Sequence, residues 1–210
     1  MANQLVYIER LPLRYSHKQQ FEAAVIGIAL KYDFNPNWLM ALMYLVTKGQ
    51  LRTGYYSTSG NVGLIQFSQS TAQLLGTTQG VLASSTHFEQ LNYVDKYLKY
   101  RRAKGQIRTI TDLYMVLFHP SLLHKRQDGI IVYKKPSKEY EDLKEFDYLG
   151  KGYFTLEDVS KLIESYLPAT THQGYPIPVE NPRKGYPSPK NENRLLNWLS
   201  RMVAAYLIHK

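Results

Sequence analysis

The chain has no cysteine among its 210 residues. That excludes disulfide staples, thiolate metal sites, iron–sulfur clusters and a cysteine nucleophile, and leaves the redox compartment open. No apolar run approaches the roughly 18 residues that a membrane span needs, so none is expected. The start, Met1 to Tyr15, has no basic stretch followed by an apolar one. It does not read as a Sec signal, and synthesis in the cytoplasm is the expectation. There is no G-x-S-x-G elbow, no phosphate loop and no G-x-G-x-x-G, which argues against a serine hydrolase or a nucleotide enzyme. The six histidines are scattered, and Pro120 breaks any helical face shared by His119 and His124. Neither a metal nor a cofactor is expected. Acid is scarcer than base, 17 Asp+Glu against 26 Lys+Arg, for a formal charge of +9.

What the chain does have is tyrosine, 18 in all, on a background of 44% hydrophobic and 20% charged residues. Such a composition is that of a folded chain, not a disordered one. Tyrosine with basic charge suits a polar, stackable, anionic polymer, and nucleic acid and cell-wall glycan both fit. The densest basic run, Lys96 to Arg108, lies where any helix end prefers cations, and no reader motif accompanies it. It is read as a solvated helix end, with no specific nucleic-acid partner.

Periodicity makes the chain mainly α. Ser16 and Gln19 have capping-box spacing before a face of Phe21, Val25, Ile28 and Tyr32. Asn35-Pro36 restarts the chain as N-cap and first helical residue, and Trp38 to Val46 is apolar nearly all round, as a buried central helix is. Gly49 is placed to end it. Residues 54–60 read as loop, and Gln69 to Leu75 as a short helix stopped by Gly76. Thr86 and Glu89 open a long amphipathic helix through Leu91, Val94, Tyr97 and Leu98. Thr111-Asp112 is read as capping a helix from Leu113 to Phe118. Ile130 to Tyr133 is the one persuasive strand, and Thr155 with Asp158 introduces a helix to about Leu167. Residues 168–193 hold six of the ten prolines and read as an extended linker. Residues 194–210 form an amphipathic pattern that needs a protein partner to cover it. The boundaries expected are thus a domain over 1–167, the linker, and the C-terminal helix.

Four blocks carry a family resemblance: Asn35–Tyr44, Gly60–Thr78, Gln90–Leu98 and Thr111–Pro120. Together they resemble the lytic transglycosylases of the goose-lysozyme type, in the branch found in phage and phage-tail-like systems, over roughly residues 20 to 165. The Gly63-Leu64-Ile65-Gln66-Phe67 block followed by Ser68-Gln69-Ser70-Thr71-Ala72 is the most specific part. The resemblance implies a lysozyme-like, mainly α fold with a groove for peptidoglycan. In the family a glutamate ends the buried helix and serves as general acid, then base. That position is Val46 here, followed by Thr47 and then Lys48. Valine has no proton to give, so catalysis at this position is absent. Of the other carboxylates, Glu22 is expected on a solvated helix face, Glu89 in a cap, and Asp112 as an N-cap.

The resemblance also implies an EF-hand-like loop, matched by Asp147 to Asp158. Its third and fifth positions are Leu149 and Lys151. A lysine at a ligand position replaces an oxygen with a positive charge, so calcium is not expected. The groove residues implied are Gln66, as a contact to sugar amides or a support for the acid, and Tyr114, which faces the missing acid. Tyr55 and Tyr56 are read as exposed stacking contacts. Tyr44 is read as core, and Tyr114 admits core and contact equally.

Three readings of function stay open. The first is an inactive lysozyme-like protein, a peptidoglycan-binding or structural component of a phage tail or contractile injection apparatus, delivered to the envelope within a larger assembly. The second is an active muramidase with a non-standard acid. The third is a fold reused for protein–protein contact alone.

Overall fold

Asn35 and Pro36 start the helix around which the rest is arranged. In the computed structural model, which describes residues 5–123 and 129–167, the Asn35 side chain accepts from the Asn37 N–H at 3.0 Å and Pro36 fills the first turn. Counting from the N-terminus, this is α2 (Pro36–Val46), and Leu39, Met40, Leu42 and Met43 within it are wholly buried. It ends at Gly49, with φ +77° and its N–H on the Tyr44 carbonyl at 2.8 Å. A Cβ there would meet the Tyr44 ring at 3.2 Å, so glycine is needed twice over.

Around α2 the described residues are mainly helical. Helix α1 (Tyr15–Tyr32) packs on α2 and on α5 (His87–Tyr100), and α6 (Ile110–Phe118) packs on α2 and on α8 (Leu156–Ser165). Short helices α3 (Gln69–Leu74), α4 (Gln79–Ser84) and α7 (Lys138–Asp142) lie between them. Strands β1 (Ile131–Lys134) and β2 (Tyr153–Thr155) pair antiparallel, Tyr133 opposite Phe154. Among the described residues no helix is long and apolar enough to cross a membrane.

The expected caps hold where the side chain reaches back. Thr86 and Glu89 form a reciprocal box on α5, and Thr155 and Asp158 do so on α8. Two expectations need correction. α1 begins at Tyr15 after an extended Arg14 with no side-chain cap, so Ser16 already lies inside the first turn. α6 begins one turn earlier than expected: Thr109 is its N-cap and Asp112 its third residue, each side chain bonded to the other's backbone N–H. The Thr-x-x-Asp spacing selects Thr109 over Thr111. β2, α4 and α7 were not expected, being three to six residues long with too few positions to show a period. The linker 168–193 and the helix 194–210 lie outside the described residues.

Candidate functional site

The end of α2 makes the floor. Val46 is 6% exposed and Thr47 is wholly buried. The Thr47 hydroxyl donates to the Met43 carbonyl at 2.7 Å and accepts from the Leu51 N–H at 2.9 Å, which makes Thr47 a cap that turns the chain. Lys48 follows at φ +51°, a left-handed conformation that a side chain adopts at a cost. It aims its ammonium across the site, onto the Glu145 carboxylate and the Asp142 carbonyl.

The Gly63–Phe67 block forms a tight loop closed by paired bonds between Val62 and Phe67. Gln66 sits in it at φ +53° and is half-buried. Its amide N–H2 donates to the Gly63 carbonyl at 2.8 Å and the Tyr55 carbonyl at 3.3 Å. The group expected to reach a sugar therefore binds its own loop. Its Oε1 is enclosed and has no partner among the described residues. Gly63 is required because a Cβ would lie 2.5 Å from the Gln90 amide. Gln90, wholly buried on α5, accepts from the Leu64 N–H at 2.8 Å and donates to the Thr53 and Leu82 carbonyls. It anchors the loop, a role sequence reading missed because a single polar residue on a helix face carries no periodic signal.

A second missed contribution comes from the arm that holds α7. Asp142 accepts from the Thr58 and Ser59 N–H groups at 2.7 and 2.8 Å, tying the 54–60 loop to that arm. Burial pushes its carboxyl up, but those hydrogen bonds outweigh burial and hold it below the usual carboxylate range. Three residues on, Glu145 meets Lys48. Burial raises the Tyr55 hydroxyl, and the charges of Asp142 and Glu145 raise it further. Burial and the Glu145 charge act likewise on Tyr166. Glu145 is thus the carboxylate of this region, brought there by the fold from nearly a hundred residues away.

The tyrosines divide. Tyr56 is 48% exposed and Tyr55 is half-buried. Tyr44 is half-buried in a stack, its ring 3.9 Å from that of Tyr7 and nearly parallel, with Tyr166 beside it. Tyr114, for which core and contact stood equal, is a core residue, and its place among the groove contacts is corrected. It is 1% exposed, packed on Phe118, His119 and Phe146, and has no face for a sugar ring to stack on. Its hydroxyl has no partner among the described residues, and burial raises it far above the ordinary phenol range. Glu22 is also corrected. It is half-buried, and its carboxylate accepts from the Leu5 N–H at 2.8 Å, pinning the start of the chain to α1. Glu89 caps α5, as expected.

The Asp147–Asp158 loop is closed on itself. Asp147 accepts from the Lys151 N–H at 2.8 Å, the Gly152 N–H at 2.6 Å and the Tyr140 hydroxyl at 2.8 Å. Asp158 accepts from the Lys151 ammonium at 2.7 Å as well as from Thr155. The positive charge inside this loop is a lysine of the chain itself. Among the described residues no group of three His, Asp or Glu side chains is placed to hold a metal.

Comparison with protein-family models, with curated proteins and with solved structures finds no match. The chemistry of the site therefore stands on its own geometry. A general acid for glycoside cleavage is a desolvated carboxyl free to hold a proton. The position at the end of α2 is a buried valine, and the carboxylate that its neighbour Lys48 reaches, Glu145, is tied to that ammonium.

Proposed function

We propose that this chain is a catalytically inactive, lysozyme-like protein that binds peptidoglycan or serves as a structural component, of a phage tail or a related contractile injection apparatus. The observation that carries the reading is the buried Val46 beside a Lys48 already spent on Glu145. This arrangement supplies neither a proton donor nor room for one. The exposed Tyr56 and the half-buried Tyr55 are the groups available to a sugar.

One assay set tests it. Purified cell walls incubated with the protein should show no clearing above buffer, while insoluble peptidoglycan should retain the protein at moderate salt. Tyr56→Ala should weaken that retention. Val46→Glu should restore little lysis, because Lys48 stands ready to pair with the new carboxylate. Lysis by the unaltered chain would refute inactivity. Its loss in Glu145→Gln would then identify the non-standard acid, a reading that the place of Glu145 among Tyr55, Tyr114 and Tyr166 favours as second choice. Absence of both lysis and retention would leave a scaffold for protein contact.

A further inference from the structure

The far end of α5 carries more positive charge than a helix terminus needs. Lys99, Arg102, Lys104 and Arg108 are exposed there, but Arg101 is half-buried, against the solvated cluster expected. Its guanidinium lies over the Tyr97 ring at 4.9 Å and the Tyr100 ring at 5.6 Å. One nitrogen, Nη2, donates to the Tyr97 hydroxyl at 2.8 Å, while Nε is enclosed and finds no acceptor among the described residues. Among the described residues no carboxylate pairs with Arg101 or Arg102. A guanidinium anchored on two tyrosine rings, with one enclosed N–H unpaired and other donors open to the surface, is placed to take an acceptor.

Arg102 adds a second, independent sign. It stands just past the helix end at φ +52°, where glycine is the easy residue, so an arginine there is kept against backbone strain. Both arginines line a cavity of about 370 Å³. Tyr100 and Gln106 share their side of it, and Val116, Pro120 and Leu123 form an apolar side.

We infer that this cavity binds an oxyanion, phosphate or carboxylate, borne on a small ring or apolar body. The guanidinium groups and the Gln106 amide take the anion, and the apolar side takes the body that carries it. Tyr100, 56% exposed, is the ring left at the rim. The cavity shares no residue with the region around Lys48 and Gln66, so this inference does not depend on the glycan reading.

Isothermal titration of the full chain with phenyl phosphate, benzoate and neutral phenol, at constant ionic strength and pH 7.5, tests it. At least one anion should bind saturably and phenol should not, and the stronger of the two names the anion. Arg101→Lys keeps the charge and loses the fork, and Arg102→Gln removes an exposed charge without touching the core. Each should weaken binding on the order of tenfold. Lys104→Gln should change it by less than about twofold, as for a screened surface charge. Saturable binding of neither anion overturns the inference, as does phenol binding equally well. So does a Lys104→Gln effect equal to those of the arginine variants, which would mean diffuse charge. A loss in Arg101→Lys accompanied by a lowered melting temperature, with Arg102→Gln unchanged, would mark a folding role and overturn it too.

Discussion

Two regions carry a lysine where the family resemblance leads one to expect something else, and they resolve it differently. In the Asp147–Asp158 loop, Lys151 turns inward and its ammonium meets Asp158, while Asp147 is filled by two N–H groups and a tyrosine hydroxyl. Both oxygens of Asp147 are used. At the end of α2, Lys48 turns outward to Glu145, and two buried polar atoms elsewhere, Gln66 Oε1 and the Tyr114 hydroxyl, have no partner among the described residues. A loop rebuilt around an internal cation is self-sufficient. Gln66 Oε1 and the Tyr114 hydroxyl are polar groups that the described residues do not satisfy.

The comparison breaks most visibly at Asp147. Asp147→Ala strands three donors at once, and the melting temperature should fall on the order of 10 °C by thermal denaturation. A fall of a degree or two would show that the loop is not held from within. Millimolar calcium or a chelator should leave the melting temperature of the unaltered protein where it is.

Acid titration should act next. Burial holds His119 down at about 4, against an ordinary value of 6.5. Between those values the folded chain binds fewer protons than the unfolded one, so stability is full above about pH 6.5 and falls as pH drops toward 4. His119→Phe should flatten that slope in denaturant melts, leaving the part due to His87, which burial also lowers. Below pH 4 the depressed carboxyls of Asp142, Asp147 and Asp158 should add a further loss.

The lysines themselves should differ. Lys151→Met should cost more than Lys48→Met in paired melts, because Lys48 and Glu145 are each about a third exposed. Such a pair is worth at most about 1 kcal/mol. Equal losses would erase the contrast between the two regions. The smallest effect belongs to Tyr114→Phe, which removes a hydroxyl that already lacks a partner. Stability should stay within about 1 kcal/mol of the original or rise. A clear loss would reveal a partner for that hydroxyl and make the floor as complete as the loop.

Local chemistry was legible wherever neighbours in sequence settle it. The Asn35-Pro36 start, the Gly49 stop and the capping boxes at Thr86 and Thr155 each involve residues within a few positions of one another. That position 46 holds no acid and position 151 no oxygen ligand was legible too, because those are statements about residue type. Burial of Tyr114 and the use of Glu22 were not legible. An aromatic on an apolar helix reads the same as core or contact, and Glu22 finds its partner at Leu5 only after the chain folds back.

By itself, then, the sequence determined a mainly helical chain with no thiol chemistry, a valine at the end of its apolar central helix, and an excess of basic charge. Tertiary structure alone decided where that charge goes. It sent Lys48 to Glu145, nearly a hundred residues away, and Lys151 into its own loop, and it set Arg101 over two tyrosine rings at the wall of a cavity. The reason is that ion pairing and desolvation depend on distance in space, and only packing brings such groups together or shuts water away from them.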